Sequence, residues 1–153
     1  MELRARLQSA TKDAMKAKDS ARLSTLRLIG AAVKDREIAA RGGDGDGELT
    51  EADLILILSR MVKQRQESAK AYEEGGRLEL AAKEEEEILV IQEFLPRQMS
   101  EAETRAAVDA AIADLEATGI RDMGRVMAAL KDRHAGQMDF GAVGALVKGR
   151  LLG

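Results

Sequence analysis

The chain has 153 residues, and its hydrophobic fraction of 45% is enough for a packed core in one or two small domains. It contains no cysteine, which excludes disulfides and thiolate chemistry, and no run of about 18 apolar residues that would predict a membrane span. A net charge of −3 does not by itself indicate a nucleic-acid partner, and an N-terminus without an apolar signal segment predicts a soluble, cytoplasmic protein.

Helix-forming residues dominate, whereas aromatic residues make up 2% of the chain, so the sequence predicts an all-α fold with an aliphatic core. The charge is unevenly distributed. Residues 1–41 carry ten basic and five acidic side chains, residues 42–103 carry seven and sixteen, and residues 104–153 carry seven and six. Basic ends therefore flank an acidic middle, which is a hint about partners rather than about the fold.

Apolar residues at helical spacing predict two helices in the basic N-terminal region. The first runs from about Glu2 to Lys18, and the second follows a cap at Asp19 or Ser20 and runs to about Arg41. Gly30 lies in the middle of the second helix, where glycine costs about 1 kcal/mol relative to alanine. We therefore expect another helix to cross closely at Gly30.

The glycine-rich stretch "GGDGDGE" predicts a flexible loop. Counting a calcium-binding loop from Asp44 places Leu49 where glycine is required and Ile55 where a bidentate glutamate is required. An acidic loop without a metal is therefore the preferred interpretation.

A capping box formed by Thr50 and Asp53 predicts the start of a third helix, which continues to Glu74 and ends at the two glycines 75–76. A strand over the short apolar run "LILIL" is the alternative, but the cap and the long periodic continuation favour a helix.

A fourth helix is predicted from Leu78 to Leu95, and Pro96, the only proline, ends it. Three shorter helices follow. They extend from a capping box at Ser100 to about Thr118, over residues 122–134, and from a cap at Asp139. We predict an N-terminal four-helix bundle over residues 1–96 and a C-terminal three-helix bundle over residues 97–153.

No arrangement in the sequence predicts catalysis, a metal site or a cofactor. The acidic run Glu84–Glu87 is typical of a solvated helix face, and His134, the only histidine, is expected at the surface near a helix C-terminus. No nucleotide-binding, hydrolase or metalloprotease motif is present.

The C-terminal stretch "RDMGRVMAALKDRHAG" combines an apolar helix face with basic residues. Met123 and Met127 are interpreted as core residues, and the basic side chains as projecting from a small helical head. Scattered basic residues on the first helices, including Lys12, Lys16 and Lys34, are typical of an ordinary soluble surface. Phosphate contacts require basic clusters, and the lack of aromatic residues argues against single-strand recognition, so a folded RNA is the nucleic acid that fits.

Three stretches together resemble one family, the YqeY-like proteins, which are related to the C-terminal tail of the B subunit of tRNA-dependent amidotransferase (GatB). They are "LSTLRLIGAAVKDREI", "SRMVKQRQESAKAYEEGGRLELAAKEEEEILVIQEFLP" and "DMGRVMAALKDRHAG". The resemblance implies two helical bundles and association with tRNA, without catalysis by this chain alone. Gln137 and Met138 depart from the family pattern, in which a basic residue and alanine often follow the motif glycine.

The resemblance and the charge pattern together give eight candidate RNA-binding residues and four motif residues. The RNA-binding candidates are Arg27, Lys63, Arg65, Arg77, Arg125, Lys131, Arg133 and Lys148. The motif residues are Met123, Gly124, Met127 and Gly136, of which Gly124 is expected to permit a close approach by a helix or partner.

Two other functions remain open. The resemblance implies a possible accessory part in a carbon–nitrogen ligase assembly that uses glutamine as amide donor, with amidotransferase or other translation-related proteins as partners. The acidic middle of the chain instead fits a protein-interaction adaptor without RNA contact. We expect no membrane partner.

Overall fold

A computed structural model of the chain describes residues 2–42 and 48–153. These residues form seven α-helices, one short 3-10 turn and no strand, so the all-α prediction is confirmed. The chain divides into two compact units, Met1–Leu95 and Pro96–Gly153. Asp44 and Asp46 of the predicted acidic loop lie outside the described residues.

The first unit contains four helices and the second contains three. The bounds in the first unit are α1 Leu3–Ala17, α2 Ser20–Arg41, α3 Glu51–Glu74 and α4 Leu78–Gln92. Those in the second unit are α5 Glu101–Asp114, α6 Met123–Arg133 and α7 Phe140–Leu152. Among the helices in the described ranges, none combines the length and the apolar composition that a bilayer crossing requires.

The core of the first unit is aliphatic apart from Phe94. Each of its four helices turns an apolar stripe inward, and the most buried side chains include Leu3, Ile29, Leu58 and Ile91. Full burial of one such side chain contributes about 1.5–3 kcal/mol. Helix α1 packs against α2 and α3, and α4 packs against the same two helices.

The second unit has its own core. Two residues on each helix are buried at its centre: Val108 and Ala111 on α5, Val126 and Leu130 on α6, and Val143 and Val147 on α7. Within this unit, α5, α6 and α7 pack against one another.

Both predicted capping boxes are confirmed. At the start of α3, the backbone N–H of Asp53 donates to the Thr50 hydroxyl, and the Thr50 N–H donates to the Asp53 carboxylate. Ser100 and Glu103 exchange the same two hydrogen bonds at the start of α5. Each box satisfies backbone donors that a helix N-terminus leaves unpaired.

Helix α4 ends at Gln92, three residues before the predicted end. The following residues form a tighter turn, in which the N–H of Phe94 donates to the carbonyl of Ile91 and that of Leu95 to the carbonyl of Gln92. Pro96 explains the change, because proline disfavours helical geometry in the residue before it.

Helix α5 ends at Asp114 rather than near Thr118, because Glu116 adopts a left-handed conformation with φ 52°. The N–H of Ala117 then donates to the carbonyl of Ile112 at 3.0 Å, closing a Schellman motif. Glycine usually occupies this position, and because Glu116 stands there instead, no local pattern marks the end of α5.

Replacing Glu116 with glycine should stabilise the chain by about 1 kcal/mol, because a Cβ in the left-handed region costs about 1–2 kcal/mol. Chemical denaturation with circular dichroism measures the change. Glu85→Gly, at an exposed position within α4, is the control and should destabilise by about 1 kcal/mol. A loss of stability in Glu116→Gly would contradict the proposed strain.

The expected close crossing at Gly30 is wrong. Gly30 is exposed, and a Cβ built there would meet no atom of the described residues within 4 Å. Gly30 therefore lowers the stability of α2, and no packing contact among the described residues requires a glycine there.

Gly30→Ala should stabilise the protein by about 0.5–1 kcal/mol, since alanine restricts the unfolded backbone and has room in the folded one. The measurement is the same denaturation experiment. An unchanged or lowered free energy of unfolding would show that the added methyl group meets an obstacle.

Candidate nucleic-acid interface

Five of the eight candidate RNA-binding residues have exposed side chains that form no ion pair or hydrogen bond within residues 2–42 and 48–153. They lie on α2, on α3, at the start of α4, on α6 and on α7. These residues are Arg27, Lys63, Arg77, Lys131 and Lys148. Their charges are available to an anionic ligand.

Arg65 has a structural partner instead. Its Nε lies 2.9 Å from Oε2 of Glu87, and its guanidinium also donates to the carbonyl of Met61. The side chains of the pair are only 14% and 17% exposed, so the interaction is shielded from water. Arg65 therefore joins α3 to α4, and a phosphate would have to displace Glu87 to reach it.

Arg125 and Arg133 are also paired. Nη2 of Arg125 lies 2.8 Å from Oδ1 of Asp122, and Nη1 of Arg133 lies 2.9 Å from Oδ2 of Asp114 on α5. Arg125 additionally donates to the carbonyl of Leu115, just after α5. Such exposed pairs contribute at most about 1 kcal/mol, but they direct both guanidinium groups toward α5.

The basic residues of the second unit do not converge on one side of α6. Lys131 and Arg133 are two positions apart, which places them about 200° apart around the helix axis. Lys148 is exposed on α7. The sequence pattern could not reveal this separation, since it depends on which helix face packs inward.

The turn before α6 is held by Asp122. Its carboxylate accepts hydrogen bonds from the Arg125 guanidinium and from the backbone N–H groups of Thr118 and Gly119. These bonds favour the ionised form and lower the pKa of Asp122 to about 2, with the bond from Arg125 as the largest cause. The Asp122 carboxylate therefore holds the turn that precedes α6 in place.

The two motif methionines lie against α7. A Cβ built at Gly144 would be 3.8 Å from the Met123 methyl carbon and 3.9 Å from that of Met127, so Gly144 gives the methionines room. Gly124 is exposed, and no described atom lies within 4 Å of a Cβ built there. The expected close approach of a neighbouring helix at Gly124 is therefore wrong.

Gly136 and Gln137 take part in a set of hydrogen bonds that the sequence did not predict. Gly136 has a left-handed φ of 76°, and its carbonyl accepts from Gln98 Nε2 at 2.5 Å. Gln137 donates from Nε2 to the carbonyl of Arg97, and its own carbonyl accepts from the N–H of Met99. We call these bonds the glutamine clasp, which ties the segment after Pro96 to the segment after α6.

The clasp explains the first departure from the family pattern, because Gln137 serves the second unit as a neutral hydrogen-bonding residue. Met138, the second departure, is 9% exposed and packs in the core of that unit. No signal in the sequence could have revealed the clasp, because its partners are 38 and 40 residues apart and carry no charge.

Acidic and imidazole groups form no metal site in the described ranges, where no group of three or more such side chains could hold an ion. In the acidic run, Glu85 and Glu86 are exposed, whereas Glu87 pairs with Arg65. His134 is the C-cap residue of α6 and is half-buried.

Comparison with known sequences places this geometry in a family context. The family described as Yqey-like protein matches residues 4–151. Similar curated proteins carry the name altered inheritance of mitochondria protein 41, mitochondrial. The one from Lachancea thermotolerans is 34% identical over 114 residues, which cover 73% of this chain and 59% of that protein. The one from Eremothecium gossypii is 36% identical over 117 residues, covering 74% and 61%.

A third relative of the same name, from Vanderwaltozyma polyspora, is 36% identical over 89 residues, covering 58% of this chain and 46% of that protein. The chain therefore spans about half to three-fifths of the length of these relatives. Their names place them in mitochondria, which contradicts the predicted cytoplasmic location. That prediction was wrong because composition and the lack of an apolar signal segment do not identify a compartment.

Acid should weaken the second unit through Asp122 and Glu103. The pKa of Glu103 is lowered to about 2, first by its hydrogen bond to Arg97 and then by the Ser100 backbone. A carboxyl whose pKa falls on folding adds stability above its ordinary pKa and loses it as the pH drops toward 2. The free energy of unfolding should therefore decrease between about pH 5 and about pH 2.

Urea denaturation across this pH range tests the expectation. The variant Glu103→Gln/Asp122→Asn should lose less stability on acidification than the wild-type chain. Glu85→Gln/Glu86→Gln removes two exposed carboxyl groups of α4 and should leave the pH dependence nearly as it is. Equal pH dependence in all three proteins would contradict the assignment.

Proposed function

Because the chain belongs to the Yqey-like protein family, we propose that it is a non-catalytic RNA-associated module whose ligand is folded tRNA. The proposed architecture is a four-helix bundle followed by a three-helix bundle that resembles the tail of the amidotransferase B subunit. One observation carries the proposal: exposed cations without a carboxylate partner occur in both units of the described chain.

Phosphate binding requires little more than such cations. A basic side chain that neutralises a phosphate releases a condensed counterion, and this release drives binding that does not depend on sequence. Aromatic side chains that could stack on single-stranded bases are not exposed in the described residues. Phe94 is buried, and Tyr72 and Phe140 are half-buried. These positions favour a folded RNA recognised through its backbone.

A role in carbon–nitrogen ligation is the first alternative. The sequence contains no recognised nucleotide-binding or hydrolase motif. The chain would therefore act as an accessory part of a larger assembly that uses glutamine as amide donor. This alternative rests on the family resemblance alone, and a changed rate of an amidotransferase on addition of the chain would favour it.

A protein-interaction adaptor is the second alternative, and the outer face of α4 favours it. Leu78 and Leu89 are 67% and 66% exposed, lie eleven residues apart on one helix face, and are accompanied by Glu85 and Glu86. A purified protein partner whose binding survives RNase and is lost in Leu78→Asp/Leu89→Asp would support the adaptor.

Deacylated tRNA should bind the full chain with a strong dependence on salt. Each neutralised phosphate contributes about 0.7–0.9 to the log–log slope, so about four contacts should weaken Kd roughly 50- to 150-fold between about 50 mM and about 200 mM salt. Fluorescence anisotropy with labelled tRNA measures this change. Absence of binding at about 50 mM salt would defeat the proposal.

A further inference from the structure

We propose that the outer face of the α1–α2 hairpin is the main contact surface for the nucleic-acid backbone. This hairpin surface is defined by Lys12, Lys16, Lys18, Arg27 and Lys34. The inference rests on the proposed function and specifies where the ligand binds. Of these residues, only Arg27 is among the candidates that the sequence indicated.

Helices α1 and α2 run antiparallel, and a groove of about 360 Å³ lies between them. Arg4 on α1 and Glu37 on α2 form an ion pair of 2.7 Å at one end, and the short turn at Lys18 joins the helices at the other. Gln8 and Lys34 line the groove from opposite helices. These two residues therefore mark the flanks of α1 and α2 that border the groove.

Basic residues of both helices continue from the groove toward the turn that joins α1 and α2. Arg27 precedes Lys34 by seven residues and lies within about 20° of it around α2. Lys12 and Lys16 follow Gln8 at intervals of four residues, which turns them about 40° and about 80° from Gln8 toward the outer side of α1. With Lys18 exposed at the turn, the five cations form one outward-facing seam over about 20 Å.

No cation of the hairpin surface is neutralised by a carboxylate among the described residues. On the same two helices, Glu37 is paired with Arg4, and Asp19 accepts a hydrogen bond from the backbone of α2 as its N-cap. The positive charge of the seam is therefore available to a ligand.

Of the remaining carboxylates of α1 and α2, Asp35 lies about 100° further around α2 than Lys34, away from the groove. Asp13 precedes Lys16 by three residues and lies beside it on α1, but the two form no ion pair among the described residues. The second unit differs, since three of its basic residues pair with Asp109, Asp114 and Asp122. The density of unpaired positive charge is thus greater on the hairpin surface than on the second unit.

Gly30 adds access. It lines the groove beside Lys34, is exposed and has open space where a side chain would stand. A phosphodiester backbone can therefore approach α2 closely between Arg27 and Lys34. With no exposed aromatic side chain in the described residues, the seam fits the backbone of a double-helical RNA segment rather than unpaired bases.

Two charge-matched variants of the full chain test the proposal. Lys12→Gln/Arg27→Gln/Lys34→Gln alters the hairpin surface, and Arg60→Gln/Lys70→Gln/Lys83→Gln alters exposed basic residues of α3 and α4 that are not among the candidates. Each removes three positive charges and takes the net charge from −3 to −6. None of the six side chains has a partner in the described structure, so both variants should melt like the wild-type chain.

Anisotropy titrations with labelled tRNA should separate the variants. The hairpin variant should bind more than about tenfold more weakly at about 100 mM salt, with a salt slope reduced by about 2–3, whereas the control should change Kd less than about threefold. Lys12→Arg/Lys34→Arg keeps the charges and should bind like the wild type.

Equal losses in the two triple variants, or a larger loss in the control, would overturn the hairpin assignment while leaving tRNA binding established. No binding by the wild-type chain would overturn the proposed function and the inference with it. Unlabelled polyglutamate tests an acidic protein as the ligand. If polyglutamate displaces the labelled tRNA as effectively as unlabelled tRNA does at equal total charge, the assignment of the surface to nucleic acid is overturned.

Discussion

Pairing of arginine with carboxylates on nearby elements decides which positive charges of this chain remain available to a ligand. All eight ion pairs among the described residues use an arginine, and none uses a lysine. The planar guanidinium donates in a fixed fork, whereas the ammonium of lysine is compact and strongly hydrated. All nine lysines therefore remain without an ion pair among the described residues, and seven of them precede Pro96.

Two carboxylates of the second unit each have two structural roles. Glu103 closes the N-terminus of α5 and binds Arg97, and Asp122 fixes the turn before α6 and binds Arg125. An arginine used in this way stabilises local structure, and its charge contributes less to the field that an approaching anion meets. The number of basic residues in residues 104–153 therefore overstates the attraction that this unit exerts on an anion.

The sequence predicted the helices and their N-terminal caps well, because apolar periodicity and capping boxes are local signals. It missed the left-handed residues Lys18 and Glu116, since only a glycine would have marked them. It also assigned Gly30 and Gly124 to close helix contacts that the fold does not make. A charge count also does not show that Arg65 is paired with Glu87. Long-range pairing depends on tertiary packing, which no short pattern records.

The glutamine clasp has a consequence for how the chain responds to ions. Its hydrogen bonds join neutral amides to backbone groups, so added electrolyte does not screen them as it screens contacts between exposed charges. The aliphatic core beneath it is equally insensitive to dilute salt. The second unit is therefore expected to keep its shape at ionic strengths that would weaken the proposed contacts with a polyanion.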